Sequence, residues 1–406
     1  MNVVSLSCVF PNAAETSLGL FVRARLERMA ALARVTVVAP VLWFDYRKLA
    51  HPGGTKAAIP AGGRDGLLEV VHPRWMYVPG AGVLTAMLLF VQLLGPLYRL
   101  KKSGRCQLLD VHFGYPEGVA GCLLAGVLRV PFTVTLRGAE LLHGRYQLRR
   151  AAMRFALRRA GCVITVSEQL RAFAIALGVD PARARTIPNG VDASMFFPRE
   201  SDACRRKHGL RTDLPVVLAA GHLIELKGHH HVIRAVKQLA DSGLPLQLVI
   251  AGGGPSRGVR SFETELRRLT NELGLEDTVR FMGAVPPEML AELMSAADVF
   301  CLASHREGWP NVLHEALACG IPAVATRVGA VESLVVSEKF GIVVEPADPP
   351  ALAAALRHAL RKEWDRRAIA EWAHGRSWDQ VATEVVNEMQ RIVLGEGTQQ
   401  EHRISA

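Results

Sequence analysis

The stretch SHREGWPNVLHEALACG, residues 304–320, decides how this chain is read. Just before it, ADVFCLA (297–303) is almost wholly apolar, as a strand buried on both sheet faces must be. Within it, PNVLHEALACG reads as a helix: Pro310 suits the first helical position, Gly320 the C-terminal cap, and Pro322 lies just beyond. Strand, loop and helix make one step of an open α/β sheet, where ligands bind beyond the carboxyl ends of the strands. Glu307 falls in that loop and Glu315 one to two turns into the helix. Taken alone, this spacing favours two surface ion pairs.

The neighbouring loops change the reading. GHLIELKGHH (221–230) follows the first strand of the same half and brings Lys227 to a helix start. There an ammonium and free amides neutralise a diphosphate. AGGGP (251–255) follows the next strand and lets backbone come close to a ligand. Carboxylates repel phosphate but accept hydrogen bonds from hydroxyls. Two of them, on a loop and a helix start, can grip two sugars flanking a diphosphate, which describes a nucleotide-sugar.

Apolar runs alternate with helical patterns along most of the 406 residues, the α/β signature, and the length suits two or three domains. Strands are expected near 2–7, 34–39, 67–71, 107–111, 132–136 and 162–166. The rhythm breaks at IPNGVDASMFFP (187–198) and restarts with strands at 215–221, 246–252, 279–285, 298–303, 322–326 and 341–345. The expectation is two doubly wound Rossmann-like domains facing across a cleft. The first spans 1–195 and the second 196–375. A helix at 376–395 packs back on the first, and 396–406 is a disordered tail.

Charge is uneven: residues 1–195 hold 24 Lys/Arg against 11 Asp/Glu, and 196–406 hold 24 against 27. Six arginines crowd RYQLRRAAMRFALRR (145–159), which suits an anionic surface or an acidic substrate as well as a solvated helix face. Residues 81–98 carry no charge, but Gly95-Pro96 interrupts them and they fall short of a membrane span, so a buried or surface-lying helix is expected. Seven scattered cysteines without a CxxC pair suit a reducing compartment, and the first residues lack the basic start of a signal peptide.

The second half resembles the retaining glycosyltransferases of family 4, with the two-domain GT-B fold. The matching pieces are IPNGVDASMFFP, GHLIELKG, AGGGP, VRFMGAV, AADVFCLASHREGWPNVLHEALACGIPAVATRVGAVE and GIVVEPAD, which cover nearly all of 161–355. In the first half, LLDVHFGYPEGVA and VTLRGAE resemble more loosely the teichuronic-acid type of polysaccharide-building transferase. The resemblance implies that Lys227 binds the donor diphosphate, with Gly221, His222 and Gly253 beside it. It implies that Glu307 contacts the transferred sugar, with backbone at Gly308, Trp309, Asn311 and Val312, and that Glu315 holds the ribose diol. Gly19, Arg137 and Glu140 fall on the acceptor side. Three positions depart from the family. His222 stands where Arg is frequent, Gly329-Ala330 replaces Gly-Gly, and Arg137-Gly138 replaces His-Gly, so His112 is a candidate to take over part of the missing histidine's catalytic role.

The implied reaction is retaining transfer, of hexosyltransferase type, from a nucleotide-sugar to a hydroxyl acceptor. Lys227, His222 and helix-start amides meet the leaving diphosphate, and front-face attack follows because no enzymic nucleophile is evident. A lipid-linked or polysaccharide acceptor, an anionic membrane surface and a cytoplasmic, peripheral location are expected, with no cofactor, no metal and no nucleic acid. A GT-B nucleotide-sugar epimerase and a catalytically silent sugar-binding protein are the alternatives. The HHH run at 229–231 is set aside as a metal site, because adjacent helical residues point about 100° apart. His314-Glu315 lacks the second histidine of a zincin, AGGGPSRG lacks the Lys-Ser/Thr of a P-loop, and Cys301 and Cys319 fit buried cores.

Overall fold

The computed structural model describes residues 1–42, 59–78, 80–254 and 260–395. The expected tail at 396–406 lies outside the described residues. The chain divides into two compact units: Met1–Asn189 with Trp378–Ala406, and Gly190–Ser377. The first division falls inside the Pro/Asn-Gly segment, six residues before the expected boundary, and the second falls two residues after it.

In the first unit the strands are β1 (Asn2–Leu6), β2 (Arg34–Val38), β3 (Val41–Leu42), β4 (Gly62–Asp65), β5 (Leu68–Val71), β6 (Arg74–Trp75), β7 (Leu108–His112), β8 (Phe132–Leu136), β9 (Cys162–Thr165) and β10 (Ala184–Thr186). Eight of them form one sheet in the order β10-β9-β8-β7-β1-β2-β5-β4, while β3 and β6 pair separately. All pairs in the large sheet are parallel except the β4–β5 hairpin. The chain runs outward from β1 through β2 to β5, then returns to start β7 on β1's other side. The switch point therefore lies between β1 and β7. The helix Trp378–Leu394 buries Trp378, Val381, Val385 and Met389 in the same core as Val22, Leu26 and Met29 of the helix Leu20–Met29.

The uncharged stretch forms most of the helix Leu84–Lys102, which contains Pro96. Its inner face buries Leu89, Leu93, Leu97 and Leu100, while Leu84, Met87, Val91 and Tyr98 are exposed. No helix among the described residues is long and apolar enough to cross a membrane.

The second unit holds β11 (Val216–Ala220), β12 (Gln247–Ala251), β13 (Val279–Gly283), β14 (Val299–Leu302), β15 (Ala323–Thr326) and β16 (Gly341–Val344). Their order is β13-β12-β11-β14-β15-β16, all parallel, with the switch point between β11 and β14. Those central strands are fully buried, as their continuous apolar runs require. The loops that follow them carry Lys227 and Glu307.

Candidate active site

After β11 the chain makes a short 3-10 turn, Glu225–Lys227, and reverses at Gly228, which caps the helix His229–Asp241. Gly228 has φ 67°, and a Cβ there would lie 1.9 Å from the Ala303 carbonyl oxygen. Only glycine lets the two switch-point loops come this close. The His305 amide donates to the Leu226 carbonyl at 2.9 Å and seats one loop on the other.

This contact brings the two expected donor residues together. Lys227 Nζ lies 2.6 Å from Glu307 Oε1, and Ser304 Oγ donates to the same oxygen at 2.7 Å. The two side chains are 20% and 10% exposed, so the pair is largely desolvated but reachable. Gly329 packs on the Glu307 carbonyl from below, where a Cβ would lie 2.3 Å away.

Glu315 lies on the helix Asn311–Ala318, whose N-terminus has no side-chain cap. Its carboxyl has no hydrogen-bond partner among the described residues, and burial pushes it up to about 7. It is an acceptor still to be used. Asn311 and Val312 open the helix and are part-buried, as is Gly308. The Trp309 side chain is turned inward. It is 9% exposed and packs edge-on against His314, so its ring supports the helix rather than facing a ligand.

His222 is exposed beside Lys227. Partial desolvation, then the Lys227 charge, lowers its imidazole below 6.5, so near neutrality it offers a neutral hydrogen bond rather than a cation. The Gly221 amide donates to Ala251, and the Gly253 carbonyl accepts from Leu223 at 2.9 Å, which ties the glycine loop after β12 to the Lys227 loop.

The expected acceptor-side residues cluster at the switch point of the first unit. Gly19 ends the loop after β1, with φ 69° and room for no Cβ: one there would lie 2.4 Å from the Val9 carbonyl oxygen. His112, at the end of β7, is 0% exposed. Its Nε2 lies 3.2 Å from Asp110 Oδ2 and 3.0 Å from Ser5 Oγ, and its Nδ1 lies 3.1 Å from Arg137 Nη2. Arg25 Nη2 also lies 2.9 Å from Nε2, so each ring nitrogen faces an arginine, which only donates, and the imidazole is held neutral between them. Burial and the Arg25 charge outweigh Asp110 and lower the imidazole to about 3. Asp110 is buried, which alone would raise it, but Arg25 at 2.7 Å and His112 hold it well below the usual carboxylate range. His112 is therefore sealed. It meets Arg137 through Nδ1, and no face of its ring is open to solvent.

Glu140 is sealed in the same way. It is 0% exposed, and its oxygens accept from the amides of Gly114, Arg137 and Gly138 at 2.9, 3.1 and 2.7 Å. It locks the loop that carries Arg137. Arg137 is 9% exposed, donates to Asn189 Oδ1 at 3.2 Å, and lies over the Phe21 ring. Thr133 Oγ1 donates to Asp110 Oδ1 at 2.9 Å and Arg25 Nη1 to Thr135 Oγ1 at 2.8 Å, and these four residues went unread in the sequence. An arginine at helix spacing and polar residues alternating along apolar strands were the available signals. Cys301 and Cys319 are buried, and burial pushes both thiols up to about 12.

Comparison with known proteins identifies the class. Residues 200–376 match the family described as glycosyl transferases group 1, and residues 27–195 match glycosyltransferase family 4. The two matches together span most of the chain, and the chain belongs to this family of glycosyltransferases. It is 36% identical over 231 residues to a D-inositol 3-phosphate glycosyltransferase of Thermomonospora curvata, covering 53% of each chain. It is 40% identical over 202 residues to the protein of that name from Acidothermus cellulolyticus, covering 48% of this chain and 45% of that one. The chain thus spans about half the length of the curated relatives it matches. Over nearly whole chains the fold resembles a sucrose-phosphate synthase from Thermosynechococcus elongatus, with TM-score 0.70, 24% identity and 99% of each chain covered. It also resembles Anabaena HepE in complex with UDP and glucose, with TM-score 0.74, 20% identity, and 96% and 99% covered. Both have the GT-B fold, and this chain shares it.

Proposed function

We propose that the protein transfers a sugar from a nucleotide-sugar to a hydroxyl acceptor with retention of anomeric configuration. The observation that carries this reading is the Lys227–Glu307 pair across the β11/β14 switch point, with the unpartnered Glu315 carboxyl on the helix that follows. An arriving diphosphate exchanges one anion for another at Lys227. Glu307 is then released to accept hydrogen bonds from sugar hydroxyls, and Glu315 accepts from the ribose diol. The departing diphosphate is stabilised by Lys227, by the amides of Gly308, Trp309, Asn311 and Val312 and by a neutral His222. Without an enzymic nucleophile, the leaving phosphate oxygen takes the acceptor proton as the acceptor attacks from the same face. Gly19 and Arg137 serve the acceptor, with Arg137 aimed by His112 and its loop locked by Glu140.

The acceptor is lipid-linked or a polysaccharide on the cytoplasmic face of a membrane. Exposed Leu84, Met87, Val91 and Tyr98 support this reading, together with exposed Leu148 and Phe155 among the six arginines of 145–159. Each basic residue near an anionic leaflet contributes about 1 kcal/mol. The relatives' name, D-inositol 3-phosphate glycosyltransferase, favours a second acceptor class, a phosphorylated polyol. The test incubates UDP-, GDP- and ADP-sugars with a polyol phosphate or with acceptor-loaded vesicles, and product linkage is read by proton NMR. A product retaining the donor's anomeric configuration supports transfer. Sugar isomerised without acceptor favours the epimerase, and binding without turnover the silent protein.

A further inference from the structure

Three histidines stand together beside the donor loops. His230 and His231 lie in the first turn of the helix His229–Asp241, and His305 comes from the loop after β14. Adjacent helical residues point about 100° apart, the ground for setting the HHH run aside, yet the His230 and His231 rings stand with centroids 3.9 Å apart and His305 faces them from the neighbouring loop. One nitrogen from each ring lies within 4.8 Å of the others, the only such group of three His, Cys, Asp or Glu among the described residues. We infer that His230, His231 and His305 bind one Zn2+-class divalent transition-metal ion, which clamps the Glu307 loop to the helix following Lys227.

The distances carry the inference. His231 Nε2 and His305 Nε2 are 3.2 Å apart. Two nitrogens on one tetrahedral Zn2+, at a bond length of about 2.05 Å, stand about 3.3 Å apart. The rings are already gathered, with centroids 3.9 Å apart for His230–His231 and 5.1 Å for His231–His305. A rotation of the third ring closes the set, and water takes the fourth position. His230 keeps a buried Nδ1 without a hydrogen-bond partner, an unmet need of the kind that a ligand resolves.

The chemistry agrees. Three imidazoles suit Zn2+, Ni2+, Co2+ or Cu2+ and not Mg2+ or Ca2+, which take oxygen ligands. Metal binding needs the imidazoles neutral. Arg234, exposed on the same helix, opposes a cation and limits affinity without blocking the ring nitrogens. The clamp needs no nucleotide, so it stands or falls separately from the proposed transfer.

The test uses the full chain without an affinity tag and no nucleotide. Co2+ is titrated while visible absorption is followed, and Zn2+ is then used to displace it. The expected result is one equivalent of Co2+ giving the intense bands of a four-coordinate site, displaced by Zn2+ but not by excess Mg2+. His231→Ala and His305→Ala each weaken binding more than roughly tenfold, while the surface substitution His358→Ala leaves it unchanged. Melting curves confirm folding, and His305→Gln replaces His305→Ala if the latter fails to fold. Absence of stoichiometric Co2+ binding, or binding that survives both His231→Ala and His305→Gln, overturns the inference.

Discussion

Replacing Glu315 with Gln should stabilise the protein at pH 8 and weaken nucleotide binding, two effects that a surface glutamate would not combine. Burial raises the Glu315 carboxyl from 4.5 to about 7. Below 4.5 both folded and unfolded forms hold the proton and the group has no effect on stability. Between 4.5 and 7 the folded protein keeps a proton that the unfolded chain has lost, so stability falls as pH rises. Above 7 the whole cost is present. A rise of about 2.5 units corresponds to about 3 kcal/mol, an upper bound for a part-buried side chain. The Glu315→Gln substitution removes this cost because the amide has no charge to bury. Each kcal/mol moves the melting temperature of a unit this size by about 2–4 °C. The substituted protein should therefore melt several degrees higher than wild type at pH 8 and at nearly the same temperature at pH 4.5.

Binding moves the other way. A carboxylate accepting from a ribose diol makes charge-assisted bonds, and an amide keeps only part of them. The loss is about 1–2 kcal/mol, roughly five- to thirtyfold in Kd. Wild-type affinity should rise with pH through about 7 as the carboxylate forms, and the Glu315→Gln variant should lack that rise. Scanning calorimetry at the two pH values and calorimetric nucleotide titration read both quantities. Equal melting shifts at pH 4.5 and pH 8, or unchanged affinity, refute the reasoning.

Gly228→Ala should cost several degrees of melting temperature and most nucleotide binding, because its Cβ would lie 1.9 Å from the Ala303 oxygen at a positive φ; wild-type melting would contradict the loop contact. His112→Leu leaves Asp110 and Arg137 without their shared partner and should cost about 2–3 kcal/mol in urea unfolding. It should also slow transfer more than it weakens nucleotide binding, whereas a larger effect on nucleotide affinity would argue against the acceptor-side role. Cys301 and Cys319, buried with thiols pushed up to about 12, should resist a disulfide reagent in the folded protein while the part-exposed Cys8 reacts, as mass spectrometry can read.

The apolar runs marked every long parallel strand, because strands covered on both faces are mostly apolar even where β7 and β8 interleave Asp110, His112, Thr133 and Thr135. The strands that escaped are short or polar. Gly62–Asp65 is almost wholly exposed and exists through its pairing with β5, and Ala184–Thr186 is a three-residue edge. The Lys227 and Glu307 loops were legible because strand ends and glycine punctuation place them at a switch point. Burial was not legible. Nothing in DVHFGYP distinguishes an exposed catalytic histidine from one sealed against Asp110 and Ser5, and Glu140 looked like an acceptor contact until its three backbone amides were seen. The His230–His231–His305 cluster joins residues 74 positions apart, a proximity that local spacing cannot express.

The most direct test of the central claim is calorimetric titration of nucleoside diphosphates and monophosphates into wild-type protein and Lys227→Ala. The account predicts one site per chain that prefers a diphosphate to its monophosphate, and a Lys227→Ala variant that loses most of that preference while still folding. No binding of any nucleoside diphosphate, or an undiminished diphosphate preference in Lys227→Ala, would contradict a donor site at the β11/β14 switch point.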